Sequence, residues 1–144
     1  MKKFLIIFTV IATFVYFAPW VLYRVGLSNL SGRPSKPKIE KLDEAKSQKI
    51  WKLLNENGPV EFESLTPWHY AFQFIGLQKE KMSPGERTAY FVARAYASNN
   101  LKNRKMIYWH LSSTSLTIWL TRNWSGDQIL SKAFEIKTLK SAFN

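Results

Sequence analysis

The sequence predicts an all-α protein in which one long N-terminal transmembrane helix precedes a bundle of shorter amphipathic helices. Three observations carry the prediction. The run from Phe4 to Tyr23 contains no charged residue, later segments combine apolar residues near a 3.6 period with helix start and stop signals, and the period-two alternation of half-buried strands is nearly absent. With 144 residues the chain has room for one modest domain. Its 6 Trp, 6 Tyr and 10 Phe are too much apolar surface for a chain that stays unfolded.

The first element follows from length. Twenty uncharged residues after Lys2 and Lys3 suffice to cross a bilayer as a helix. A cleaved signal peptide is the rival, but the run closes in Phe17-Ala18-Pro19-Trp20-Val21-Leu22-Tyr23-Arg24, with rings where cleavage needs small residues. Trp20, Tyr23 and Arg24 instead suit the membrane–water boundary, where amphipathic rings and a snorkelling cation mark the end of a span. Residues 1–27 are therefore expected to be a retained anchor. Flanking charge alone opposes export, since Arg24, Arg33, Lys36, Lys38 and Lys41 follow the run. A short basic tail before an apolar run is nevertheless the form of an export signal. The expected arrangement is a single-pass inner-membrane protein with its C-terminal body in the periplasm.

Residues 28–38 hold two prolines and no periodicity, the pattern of a tether. The body, 39–144, begins with a helix from about Ile39, on which Leu42, Ala45, Ile50, Leu53 and Leu54 recur before the stop at Gly58-Pro59. A short helix starts at Thr66, with Pro67 in its first turn. Ser83-Pro84-Gly85-Glu86 is a capping box with Pro at the first helical position, opening a helix to about Ala97. The next, about Asn103 to Thr121, has apolar residues around most of its circumference and belongs in the core, His110 included. Its uncharged stretch is too short and too hydroxyl-rich for a second span. Ser125-Gly126-Asp127-Gln128 caps a last helix that places Ile129, Leu130, Ala133 and Phe134 on one side.

The chemistry is sparse. There is no cysteine, which excludes disulfides and thiolate chemistry, and His69 and His110 cannot build an ordinary structural zinc site. No metal site and no cofactor are expected. No phosphate-binding glycine loop or hydrolase elbow occurs, and the scattered carboxylates read as solvated faces or caps. The informative feature is charge. The net charge is +11, and from Lys81 onward ten Lys and Arg stand against Glu86, Asp127 and Glu135. Beside a bilayer such a surface attracts anionic headgroups; with interleaved rings it also suits single-stranded nucleic acid. The cations expected to meet a phosphate are Lys102, Arg104, Lys105 and Arg122, with Trp109, Trp119 and Trp124 as core or rim rings.

The stretch Leu116-Thr117-Ile118-Trp119-Leu120-Thr121-Arg122-Asn123-Trp124-Ser125-Gly126-Asp127-Gln128-Ile129-Leu130 resembles the peptidoglycan glycosyltransferase domain of penicillin-binding proteins and monofunctional transglycosylases. In that family an apolar helix, a basic turn, a Ser-x-x-Glu cap and an Ile-Leu pair follow one another. Gly85 with Val92-Ala93-Arg94 and Thr66-Pro67-Trp68 are similar to two upstream motifs. The resemblance implies a lysozyme-like helical fold and a lipid II substrate. It also implies catalytic carboxylates, and these are replaced. In the family's register they fall near Leu77 and Gln78 and on Ser113 and Thr121. Glu80, two or three residues away, is the remaining candidate acid or base.

The expected function is accordingly that of a membrane-anchored, transglycosylase-like envelope protein that binds lipid-linked or polymeric peptidoglycan, or cell-wall synthesis partners, without catalysis. The alternatives are an active lipid II polymerase using Glu80, and a cytoplasm-facing module for nucleic acid or membrane surfaces, with nucleic acid the less favoured partner.

Overall fold

In the computed structural model the described residues are 2–38, 41–54, 56–77 and 81–142, with side chains described to 137. They form six helices: α1 (Lys2–Ser28), α2 (Glu44–Leu53), α3 (Pro67–Phe74), α4 (Pro84–Asn100), α5 (Met106–Asn123) and α6 (Gly126–Ala142). Among them the only extended pairing is an isolated antiparallel bridge between Leu30 and Leu101. The all-α expectation holds.

The helix starts obey local chemistry. Thr66 is the N-cap residue of α3 with Pro67 behind it. The Ser83 hydroxyl accepts from the Glu86 amide at 3.2 Å. At α6 the box closes in both directions: Ser125 Oγ accepts from the Gln128 amide and Gln128 Oε1 from the Ser125 amide. The start of α2 differs from expectation, because Asp43 Oδ1 accepts from the Lys46 amide at 2.7 Å and caps the helix at Glu44. Leu42 lies before the helix yet is buried, Ala45 faces solvent, and Ile39 lies outside the described residues.

From Lys2 to Ala18 every residue of α1 is exposed, and burial begins at Pro19. This is the one helix of the described residues long and apolar enough to cross a membrane. Its last turn instead belongs to the body. A Cβ on Gly26 would lie 2.2 Å from Ser115 Oγ and 2.6 Å from the Leu111 carbonyl, so only glycine admits this approach of α1 to α5. Trp20, six residues earlier, sits beneath Arg122. The two helices are thus antiparallel, with the C-terminal end of α5 toward the exposed apolar part of α1.

The main core gathers Leu27, Leu30, Ala89, Val92, Ala93, Ala97, Leu116, Leu120, Trp124, Ile129 and Ala133. Ala89, Ala93 and Ala97, one turn apart, let α5 and α6 close on α4. A second cluster of Leu42, Ile50, Trp51 and Leu130 seats α2 on α6.

The segment after α1 is packed rather than a free tether. Asn29 donates through Nδ2 to the Asn103 carbonyl and Ser112 Oγ, and its Oδ1 accepts from the Asn103 amide at 3.0 Å. Leu30 is in the core, Pro34 and Pro37 are buried, and the Lys38 amide donates to Glu135 at 2.9 Å. These contacts need partners seventy or more positions away, which no local pattern displays. His110 is likewise a correction: it is exposed, because the face of α5 packed on α1 and α4 carries Ser112, Ser113, Ser115, Leu116 and Thr117 instead. Met106 and Ile107 also face solvent, so the core use of α5 begins about a turn later than its composition implies.

Candidate functional site

Where α1 meets the body, Trp20, Tyr23, Arg24, Leu27, Ser28, Arg33 and Trp119 line an open depression of about 350 Å³. Arg33 and Arg122 are each fixed by a hydrogen bond and a ring contact. Arg33 donates from Nη1 to the Leu27 carbonyl at 3.1 Å, which also accepts from the Leu30 amide at the end of α1, and its guanidinium lies 5.8 Å from the Trp119 ring centre. Arg122 lies 5.8 Å from the Trp20 ring centre and donates to the Leu65 carbonyl. Arg24 extends from α1 itself, and the charges of Arg122, Arg33 and Arg24 all act on the Tyr23 hydroxyl.

Among the described residues the paired carboxylates are Glu56, Glu86 and Glu135, and none pairs with these arginines. Two guanidinium groups, those of Arg24 and Arg33, therefore line the depression with no acidic partner, and Arg122 stands beside it against Trp20. Such a site attracts an anion. Arginine forks match phosphate oxygens in pairs, and the rings give an apolar wall at the end of the candidate span.

A second constellation lies between α3 and α4. Glu86, with its side chain 3% exposed, approaches His69 Nε2 at 3.3 Å, and Gln73 Nε2 approaches the same imidazole nitrogen at 3.2 Å. The Tyr70 hydroxyl is buried close to Glu86 and Thr117 but meets hydrogen-bonding geometry with neither. Burial first, and the Glu86 charge second, hold the Tyr70 phenol far above its ordinary pKa, so it is neutral. Glu86 Oε1 and Ser113 Oγ are buried without a hydrogen-bond partner in the same region. The expectation that Glu86 is a solvated cap is corrected: its amide caps α4, while its carboxylate turns inward to hold α3. The carboxylate of Glu56 is also largely buried, against Arg87.

The cations singled out from sequence separate into two places. Arg122 stands beside the arginine depression, against Trp20. Lys102 donates from Nζ to the Ser28 carbonyl at 2.8 Å, Arg104 is exposed, and Lys105 is the N-cap residue of α5. From Lys105 to Arg122 the helix rises about 25 Å. Trp109 packs under Arg94, whose guanidinium is 4.9 Å from its ring centre, Trp119 faces Arg33, and Trp124 is buried. Glu80 lies outside the described residues. Arg24 and Arg33 were missed by sequence reasoning, which counted them as topology signals flanking the span; their position beside Trp20 and Tyr23 was the available hint.

The fold and this site define a class: an all-helical body mounted on one candidate membrane-spanning helix, with an arginine-lined depression at their junction. No known protein family, curated protein or solved structure matches the chain.

Proposed function

We propose that this chain is a single-span protein of the inner membrane whose helical body stands on the periplasmic side. There it binds phosphate-bearing lipid headgroups in the arginine depression, lipid-linked peptidoglycan precursor being the ligand class, without polymerising it. The observation that carries this reading is that Arg24 and Arg33 line the depression beside Trp20 and Tyr23, with Arg122 against Trp20, and that none of the three pairs with a described carboxylate. A pyrophosphate is the headgroup chemistry with enough oxygens to engage more than one arginine fork. Its height suits a group that sits where the acyl region ends. The resemblance to transglycosylases supports the choice of lipid, and the missing glutamates support binding over turnover.

The test reconstitutes the full chain into nanodiscs containing a polyprenyl pyrophosphate lipid and measures the retained lipid by native mass spectrometry. Arg24→Gln with Arg122→Gln should lower retention roughly tenfold or more, as expected for lost charge-assisted contacts. Reversal of Arg104 and Lys105, which do not line the depression, should change it less than the double substitution. Equal retention by all three proteins would refute the reading. A polyprenyl lipid without phosphate separates headgroup recognition from general affinity for the acyl chain.

A further inference from the structure

We infer that α3 is a membrane-interface helix, which turns its apolar side to the acyl-chain boundary of the bilayer that α1 crosses. Its polarity is the reverse of a helix on a water-soluble protein. The side chains that face the body are His69, Tyr70 and Gln73, gathered about buried Glu86. Outward, Phe74 is 93%, Ile75 62% and Leu77 73% exposed, with Phe72 also in the open. A helix that faces water keeps its polar side out; this one keeps it in. No charged residue occurs between Pro67 and Leu77.

Two further observations name lipid as the occupant. The outward face is continuous with the apolar surface of α1: Trp68 lies 5.9 Å from Tyr16, and Phe72 lies 5.5 Å from Trp68. Tyr16 precedes Tyr23 by seven positions, about 10 Å further along the helix into the span, so the Trp68 ring reaches below the aromatic belt. The exposure is also built rather than frayed. Gly76 adopts φ +74°, its amide donates to the Gln73 carbonyl, and the Leu77 amide donates to the Phe72 carbonyl at 3.0 Å. That pair of bonds is a Schellman turn, which folds Leu77 back beside Phe72 and extends the apolar face. An amphipathic segment of this kind binds through buried apolar area at the headgroup boundary.

The inference rests on α1 being retained in the bilayer, and the experiment separates the two. The chain has no cysteine, so single cysteines at Ile75, Leu77, Val10 and Asn99 report one position each without altering the core. The full-length variants are reconstituted in phosphatidylcholine–phosphatidylglycerol vesicles. Each is probed with a water-soluble maleimide and, after labelling with an environment-sensitive fluorophore, with nitroxide-bearing phospholipids. Ile75→Cys and Leu77→Cys should react roughly tenfold more slowly than Asn99→Cys and be quenched most by a nitroxide near the headgroup, the depth of an interfacial helix. Val10→Cys should be quenched most by a deep nitroxide. Protection of Val10 with free reaction at Ile75 and Leu77 would overturn the inference and leave the span standing. Free reaction at all three would overturn both. Protection at Ile75 and Leu77 without lipid quenching would mean that protein covers the face, and would overturn it as well.

Discussion

Arg87 grips Glu56 with two nitrogens, Nε donating to Oε1 at 3.1 Å and Nη2 to Oε2, while Nη1 donates to the Met82 carbonyl at 2.8 Å. The carboxylate is 9% exposed and the arginine about half exposed, so the pair is asymmetric. Removing the arginine strands a nearly buried charge, whereas removing the acid leaves a cation that water can reach. Arg87→Met should therefore destabilise the fold by roughly 3 kcal/mol in chemical unfolding, and Glu56→Gln by less; equal losses would show that the carboxylate is better hydrated than its burial implies. Glu135 carries a pH dependence of known sign. Partial burial raises its pKa, but the Lys38 amide and the Lys132 ammonium outweigh this and leave it below the ordinary carboxylate value. A depressed folded-state pKa means that the contribution is complete above the unfolded value, about 4.3 for glutamate, and disappears as pH falls through the folded one. Glu135→Gln should lower stability at neutral pH and flatten the acid limb of the pH–stability curve; a change of equal size at all pH values would sink this account.

At the scale of elements, the starts of α3, α4 and α6 were legible, whereas those of α2 and α5 were displaced and the helix faces were not legible. Ser83, Thr66 and Ser125 mark starts because a cap involves residues within three positions of one another. The side on which a helix is buried depends on what packs there. On α5 that side is built from Ser112, Ser113, Ser115 and Thr117, whose small hydroxyls admit α1 and α4 closely, with Thr117 bonding back to the Ser113 carbonyl. The pairing of α1 with α5 turns on Gly26. Gly26→Val would drive a side chain into Ser115 and the Leu111 backbone; overpacking of this kind costs about 1–3 kcal/mol. The expected outcome is a lower melting temperature of the body with unchanged membrane insertion of α1, read by thermal circular dichroism and by membrane fractionation. Loss of both together would mean that the body is required for insertion.

For the whole molecule, the cations singled out above stand at opposite ends of α5. Arg24, Arg33 and Arg122 gather where α1 leaves the body, and Arg104 and Lys105 lie at the opposite end of α5. The side of the membrane on which this arrangement works is the prediction at this scale. A reporter active only outside the cytoplasm, fused after Asn144, should be active. An inactive fusion with a stable chain would place the body in the cytoplasm, as the flanking Lys and Arg alone would have it, and would replace the cell-envelope ligand with phosphate-rich cytoplasmic partners.

What the sequence determined by itself is local. The uncharged run of α1, its aromatic end, the caps of α3, α4 and α6 and the near absence of strands all follow from residues within a few positions of each other, because backbone hydrogen bonding in helices is local. What only the tertiary structure decided is the company each side chain keeps. Asn29 joins Asn103 and Ser112, Glu86 turns in to His69 instead of out to water, α3 presents its apolar side outward, and Arg33 and Arg122, about ninety residues apart, reach Trp119 and Trp20 at one depression. The physical reason is that burial and electrostatic neighbours are properties of three-dimensional packing, and a chain of this composition offers many polar and aromatic residues with similar local surroundings.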